Sequence, residues 1–149
     1  LCDATQLPFA NNSVDNIVCC DVIEHLLKPE KLIQEIYRVL KPGGIFFASV
    51  PNLVSIGNRL SILAGYGSGL ELAQLLKGKS PRIAINGPRF PDQSKHIRWF
   101  TTKSLASFLE SFNFEILEKW GIGPITSRLS MEKLFKNTSL LTSIVARKA

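Results

Sequence analysis

The chain has 149 residues, of which 45% are hydrophobic and 20% charged, and its formal net charge is +6. This length and composition predict one domain with a hydrophobic core and exclude a chain that is disordered by composition. No apolar run approaches the roughly 20 residues of a membrane-spanning helix, and the N-terminus lacks a signal-peptide pattern, so the sequence predicts a soluble protein that is not exported.

The first predicted elements form a βαβ unit. The run "DNIVCC", residues 15–20, is typical of a central strand buried on both faces. A helix follows from Pro29, where proline is tolerated in the first turn. The segment "KPGG" ends this helix, with Gly43 or Gly44 as the left-handed cap, and "IFFASV", residues 45–50, predicts a second, parallel strand. The apolar face of the helix consists of Leu32, Ile33, Ile36, Val39 and Leu40.

The second half of the chain is less regular before it returns to clear elements. Residues 53–95 contain two short helical patterns, around 54–63 and 70–76, and we interpret them as an insertion over the ligand-binding edge of the sheet. A helix is then predicted with Thr101 or Thr102 as its N-cap. Strands follow at about 114–120 and 142–146. Alternating strands and helices of this kind predict an α/β fold.

The positive charge is concentrated in one segment. Residues 77–103 carry seven lysines and arginines against Asp92 alone, so the rest of the chain sums to zero. Such a segment is typical either of a surface that attracts an anionic partner or of a solvated loop, and the sequence leaves both interpretations open. Its few aromatic residues argue against a nucleic-acid surface and favour a small, anionic partner.

Polar residues follow the first predicted strand directly. Asp21, Glu24 and His25 come after residue 20, and ligands of open α/β sheets bind beyond the carboxyl ends of the strands. We therefore expect residues 20–25 and 51–52 to border a ligand site. The three cysteines include no C-x-x-C pair, which argues against structural zinc or a disulfide framework and predicts a reducing, cytoplasmic location.

The segment "CDATQLPFANNSVDNIVCCDVIEHLLKPEKLIQEIYRVLKPGGIFFASVPN", with "KHIRWFTTKSLASFLESFNFEI" further on, resembles the class I S-adenosylmethionine-dependent methyltransferases of the small-molecule, type 11-like group. The resemblance implies a Rossmann-like sheet with a helical insertion between the fifth and sixth strands of the family fold. It also implies that residues 1–149 are a single, partial domain without the first strands and the Gly-rich cofactor loop. A fragment of this kind is expected to be inactive and to bind cofactor poorly on its own.

The resemblance also assigns site residues. It implies that Asp3 and Ala4 contact the adenine of S-adenosylmethionine, and that Cys20 and Asp21 line its methionine arm, with S-adenosylhomocysteine as the product. His25 and His96 are predicted to line the site, and no catalytic residue is assigned.

The implied function is methyl transfer to a small acceptor, which the basic segment suggests is acidic or phosphorylated. Whether the methyl group goes to oxygen, nitrogen or carbon stays open, as does the oligomeric state. The alternative is a non-catalytic, methyltransferase-like binding or scaffolding domain. A circularly permuted enzyme, with its cofactor loop at the G-x-G-x-G of residues 65–69, is a weaker alternative because the expected acid before the first glycine is missing.

A metal site is the last alternative. Asp21, Glu24 and His25 form D-x-x-E-H, and His96 is the only other histidine of the chain. The set is similar to the E-x-x-E-H and downstream histidine by which small-RNA 2′-O-methyltransferases and ubiquinone-pathway O-methyltransferases hold a divalent metal. Aspartate in place of the first glutamate shortens the reach of that ligand, and we favour a site without metal, in which both histidines line the pocket.

Overall fold

A computed structural model describes residues 3–65, 96–123 and 137–149 of the chain. Four strands form one sheet: β1 (Val14–Cys20), β2 (Leu40–Pro51), β3 (Phe114–Ile122) and β4 (Leu141–Lys148). Three helices accompany them: α1 (Pro29–Val39), α2 (Ile56–Leu63) and α3 (Thr102–Glu110). None of these described helices is long enough to cross a membrane.

The order of the strands in the sheet is β1-β2-β4-β3. β1 and β2 are parallel, as the βαβ pattern predicts, whereas β4 is antiparallel to both of its neighbours, β2 and β3. The carboxyl ends of β1 and β2 therefore lie side by side, and the backbone N–H of Asp21 donates to the carbonyl oxygen of Ser49 at 3.0 Å. This pairing brings the residues after β1 to the edge where ligands of α/β sheets bind.

The hydrophobic core lies on one face of the sheet. The predicted apolar face of α1 packs there beside α3, whose N-cap is Thr101 with a reciprocal bond to Ser104. Phe46 and Ile144 contribute fully buried side chains from the sheet. Leu40, predicted as the end of the helix, is instead the first residue of β2.

The prediction that residues 15–20 form a central strand buried on both faces is wrong for the described structure. β1 is one of the two edge strands of the described sheet, and Cys19 is its only buried residue. The side chain of Val18 is 70% exposed, because none of the described elements packs over its face of β1. The apolar composition of the run thus predicted the strand correctly, but it predicted the wrong position in the sheet and too much burial.

The segment "KPGG" joins α1 to the regular part of β2. The register of the β1–β2 ladder skips from Leu40 to Ile45, so the four residues between them bulge out opposite Asp15. Gly43 has φ +77°, which makes it the left-handed residue of the predicted pair. Gly44 lies against backbone: an added Cβ would be 2.8 Å from the carbonyl oxygen of Lys41.

Candidate functional site

The turn after β1 begins with a left-handed residue. Asp21 has φ +53°, a conformation that aspartate adopts more readily than most residues. A single 3-10 turn, Ile23–His25, follows and is anchored by the fully buried side chain of Ile23. The turn therefore holds Glu24 and His25 at the carboxyl end of β1.

Glu24 is buried with only 1% of its surface exposed. Neither carboxylate oxygen accepts a hydrogen bond from the described residues. Its Oε1 lies 3.8 Å from Nε2 of His25 and 4.0 Å from Nε2 of His96. Burial raises the pKa of the Glu24 carboxyl, against a smaller opposing effect of the His25 charge.

The segment of residues 96–100 lies across this turn and is attached at both ends. The backbone N–H groups of Ile97 and Arg98 both donate to the carbonyl oxygen of Glu24, at 2.9 and 3.1 Å. At the other end, Leu53 donates its N–H to the carbonyl oxygen of Phe100 at 2.8 Å. The position of His96 relative to Glu24 is therefore set by the backbone.

The guanidinium of Arg98 reinforces the attachment. It donates to the carbonyl oxygens of Leu26 and Leu27, at 3.4 and 2.8 Å. The predicted basic segment thus contributes this arginine to the structure of the turn, while its residues 77–95 lie outside the described residues.

The two histidines of the chain lie against each other. The ring centroids of His25 and His96 are 4.9 Å apart, and the edge of Trp99 approaches His96 with centroids 5.5 Å apart. Burial lowers the pKa of His96, and the nearby His25 lowers it further. Both effects favour a neutral imidazole with a nitrogen lone pair available.

A cavity of about 420 Å³ opens beside the turn. The carboxylate of Asp3 accepts bonds from the backbone N–H and the hydroxyl of Thr5, both at 2.8 Å and both at Oδ1, and these bonds lower its pKa. The cavity combines one acid with three basic side chains. It is lined by Asp3, Thr5, His25, Leu26, Leu27, Lys28 and Lys31.

The loop that carries Asp3 is fixed to α1 by an ion pair. Glu35 accepts a bond from the backbone N–H of Leu7 at 2.9 Å and two bonds from Arg38. Arg38 also donates to the carbonyl oxygens of Leu7 and Phe9. These contacts attach the segment before β1 to the same helix that supplies Lys31 to the cavity.

Comparison with known proteins finds methyltransferases. A family described as "Methyltransferase domain" matches residues 1–48. A probable S-adenosylmethionine-dependent methyltransferase of Mycolicibacterium smegmatis is 44% identical over 50 residues, which are 34% of this chain and 20% of that protein. A demethylmenaquinone methyltransferase of Clavibacter sepedonicus is 30% identical over 110 residues, 70% of this chain and 45% of that protein.

Solved structures support the fold. An S-adenosylmethionine-dependent methyltransferase of Methanosarcina mazei superimposes with a TM-score of 0.60 at 20% identity, over 98% of this chain and 64% of that one. A 1,6-didemethyltoxoflavin-N1-methyltransferase of Burkholderia thailandensis, with bound S-adenosylhomocysteine, gives 0.57 at 16% identity, over 99% and 49%. Together these similarities support a class I S-adenosylmethionine-dependent methyltransferase. It spans less than two thirds of the length of each of these relatives, so its Rossmann-like methyltransferase sheet is an incomplete form of the family fold.

The structure brings some of the predicted methyltransferase residues together. Asp3 and His25 line one cavity, and His25 and His96 are in ring contact. Cys20 is exposed at the end of β1, and neither it nor Asp21 lines that cavity. Asp21 is also outside the cluster of Glu24 and the two histidines, so three of the four suggested metal ligands come together.

Ala4 and Gly65, two further positions singled out in the sequence, do not line this cavity. Ala4 packs against the hydrophobic core and is half-buried. The glycine-rich motif of residues 65–69 is described only at Gly65, which has φ +83°, and its other residues lie outside the described part of the chain.

One feature of the site was missed by sequence reasoning. Lys28 and Lys31 border the cavity, and their signal was their place just after the E-H pair, at the start of α1.

Asn52, expected from the sequence to border the ligand site, does not line this cavity. It is buried and connects the end of β2 to the chain before β4: its backbone and side-chain N–H groups donate to the carbonyl oxygens of Leu140 and Ser139.

Proposed function

We propose that this chain is part of an enzyme that transfers a methyl group from S-adenosylmethionine to a small-molecule acceptor. The observation that carries the proposal is that Asp3 and His25, which flank β1 in the sequence, line one cavity next to the carboxyl end of that strand. The family match over residues 1–48 covers both of these positions. Ligand sites of open α/β sheets lie at this edge.

The residues at this edge fit the adenosine part of the cofactor. Both described bonds of Asp3 use Oδ1, so Oδ2 can accept a bond from an adenine amino group, and the Glu35–Arg38 pair keeps the Asp3 loop in place. Ala4 offers backbone next to Asp3, and Cys20 and Asp21 would meet the methionine arm at the end of β1. When bound, S-adenosylmethionine supplies an activated methyl group on a sulfonium. The protein's main contribution is then to align the acceptor with that methyl group.

Charge at the cavity supports an anionic acceptor, acidic or phosphorylated. Lys28 and Lys31 line the cavity together with His25. An ammonium group holds a carboxylate or a phosphate by charge and hydrogen bonding, and a concave site with few charges of the other sign strengthens this attraction. Arg82 and Arg89 of the predicted basic segment lie outside the described residues, so Lys28 and Lys31 are the better targets for a test.

Calorimetry with matched variants tests cofactor binding. S-adenosylhomocysteine is titrated into this chain and into the protein that includes the segment encoded before Leu1, where we expect the Gly-rich loop. We expect measurable binding in the longer protein and roughly tenfold weaker binding after Asp3→Asn, which removes the charge that meets the adenine amino group. Asp15→Asn is the control, because that side chain is exposed and pairs with Lys41. No binding in the longer protein would refute the proposal.

The second candidate is a non-catalytic, methyltransferase-like binding or scaffolding domain. The position of β1 at an edge of the described sheet favours it, because an open strand edge is a surface to which another chain can add. The sequence before Leu1 distinguishes the two candidates. An intact acid-x-Gly-x-Gly-x-Gly pattern there, with cofactor binding, supports the enzyme; its loss, with no cofactor binding, supports the scaffold.

We also propose that the protein is located in the cytoplasm. Cys19 and Cys20 are free thiols, and adjacent reduced cysteines fit the cytoplasm, where glutathione and thioredoxin keep thiols reduced.

A further inference from the structure

The helix α2 exposes the apolar side chains that a surface helix normally buries. All four of its large aliphatic side chains are more than half exposed, and Leu63 reaches 84%. The only buried residue of this helix is Ser61. A helix of a soluble domain normally turns its apolar residues to the core and its polar residues to solvent, so α2 has the opposite arrangement. The four exposed residues are Ile56, Leu60, Ile62 and Leu63.

Two neighbouring segments extend this apolar surface. The backbone N–H of Ile56 donates to the carbonyl oxygen of Thr138 at 2.9 Å, two residues before the half-exposed Leu140. The backbone N–H of Leu53 donates to the carbonyl oxygen of the residue that follows Trp99, which is 47% exposed. These bonds hold the three segments at the end of the sheet where β2 ends and β4 begins. We call their exposed residues the apolar patch: Ile56, Leu60, Ile62, Leu63, Trp99 and Leu140.

The chain around the apolar patch is strongly basic. Residues 52–103, which connect β2 to the first turn of α3, contain eight lysines and arginines against two acids. This connection therefore carries the whole formal net charge of +6. Its described residues include Arg59, Arg98 and Lys103 and no acid. Exposed apolar groups mark an interaction surface, and the positive charge beside them attracts a partner that is negatively charged.

We propose that the apolar patch binds the surface of a membrane that contains anionic phospholipids. The apolar side chains of an interfacial helix enter the boundary between headgroups and acyl chains, while basic residues stay near the phosphates. Tryptophan suits the same boundary, because its ring is apolar and its N–H is polar. With 8 residues, α2 lies in the plane of the interface and does not cross the bilayer.

The directions of the exposed side chains favour a bilayer over an acidic protein. At about 100° per residue, Leu60 and Leu63 share one face of α2, whereas Ile62 lies on another. A protein usually binds a helix by one apolar face laid in a groove, but fluid lipid chains can surround side chains on several faces. The cavity at the carboxyl end of β1 contains no residue of the apolar patch. The ligand-binding edge of the sheet, at which both lie, then faces the membrane.

Vesicle binding tests the proposal and needs no cofactor, so its outcome is separate from that of the proposed methyl transfer. The protein that includes the segment encoded before Leu1 is sedimented with vesicles of phosphatidylcholine alone, or of phosphatidylcholine with about 30% phosphatidylglycerol. We expect roughly tenfold stronger binding to the anionic vesicles. We also expect this preference to shrink as the salt concentration rises from about 0.1 to 0.5 M, because salt screens the attraction between charges.

Matched double variants show whether the apolar patch makes the contact. Leu60→Ser combined with Leu63→Ser should weaken binding to anionic vesicles roughly tenfold, because two apolar side chains no longer enter the bilayer. The control is Phe9→Ser combined with Leu117→Ser, which removes two exposed apolar side chains outside the patch and should leave binding unchanged. Circular dichroism verifies that both double variants fold.

Tryptophan fluorescence locates the contact. The chain has two tryptophans, Trp99 in the apolar patch and Trp120 in β3. Anionic vesicles should shift the emission to shorter wavelength in the original protein but not in Trp99→Phe. The proposal is overturned if anionic vesicles are not bound, or if the two double variants bind them equally well. Binding to soluble polyglutamate without binding to vesicles would also overturn it and would assign this surface to an acidic protein.

Discussion

The backbone N–H of Ile97 donates to the carbonyl oxygen of Glu24 across 2.9 Å. This bond joins the segment of residues 96–100 to the turn after β1. The backbone N–H of Arg98 donates a second bond to the same oxygen. Two segments that are far apart in the sequence are thus attached to each other through main-chain hydrogen bonds. His96 lies over Glu24 for this reason.

Loss of the Arg98 guanidinium should loosen that attachment. Arg98→Met keeps the aliphatic part of the side chain but removes the bonds to the carbonyl oxygens of Leu26 and Leu27. We expect the free energy of unfolding in urea to fall by about 1 to 2 kcal/mol. Glu30→Gln is the control, because it removes only the ion pair at 3.9 Å. An equal loss in both variants would assign the effect to that ion pair.

Most of the local structure was predictable from the sequence. The strand at 15–20, the apolar face of α1 and the Thr101 cap of α3 all follow from patterns within one element, and the structure confirms each of them. The position of β4 between β2 and β3 could not be read locally, because strand order depends on long-range packing. The same applies to Glu24: its burial comes from the 96–100 segment, which no local pattern places over it.

Gly44 should be the least replaceable residue of the "KPGG" bulge. An added Cβ there would be 2.8 Å from the carbonyl oxygen of Lys41 and 3.0 Å from that of Asp15, both of them backbone atoms. We expect Gly44→Ala to lower the free energy of unfolding by about 2 to 3 kcal/mol.

Gly43 provides the comparison, because it has φ +77° but no atom within 4 Å of an added Cβ. Gly43→Asn should cost less than about 1 kcal/mol, since asparagine tolerates the left-handed conformation. Thermal unfolding of both variants is the measurement. If Gly43→Asn cost as much as Gly44→Ala, backbone conformation would be the dominant constraint and steric contact would not.

Stability in acid should depend on Glu35. Hydrogen bonds from Arg38 and then from the backbone of Leu7 lower the pKa of its carboxyl to about 2, from an ordinary 4.5. A carboxyl with a depressed pKa stabilises the folded state above its unfolded pKa and loses that contribution as pH falls through its folded pKa. We expect Glu35→Gln to cost on the order of 1 kcal/mol at pH 7, and this difference to disappear between about pH 4.5 and 2.

Urea unfolding of both proteins at several pH values measures this dependence. Glu115→Gln is the matched control, since Glu115 pairs with Arg147 on the exposed side of the sheet, where ion pairs contribute little. A difference between Glu35→Gln and the original chain that persisted unchanged to pH 2 would contradict the assigned pKa.

The adjacent cysteines of β1 should differ in reactivity. Cys19 is buried, and its burial, together with the negative charges of Cys20, Glu24 and Asp21, raises the pKa of its thiol to about 12. At pH 8 about one part in ten thousand of such a thiol is thiolate, the reactive form. Because neighbouring side chains of a strand point to opposite faces, Cys20 is exposed. Iodoacetamide should therefore modify Cys20 much faster than Cys19, which fragment mass spectrometry of the shared peptide can resolve.

Protection of the Cys20 thiol from alkylation tests whether the cofactor binds at the carboxyl end of β1. If Cys20 borders the methionine arm, S-adenosylhomocysteine should slow its alkylation several-fold in the protein that includes the segment before Leu1, because bound ligand covers the thiol. Adenosine alone lacks that arm and should leave the rate nearly unchanged, which separates direct cover from a general stabilisation of the fold. Equal protection by both ligands would argue that the cofactor acts on Cys20 from a distance. Equal labelling of Cys19 and Cys20 without ligand would contradict the facing of β1 itself.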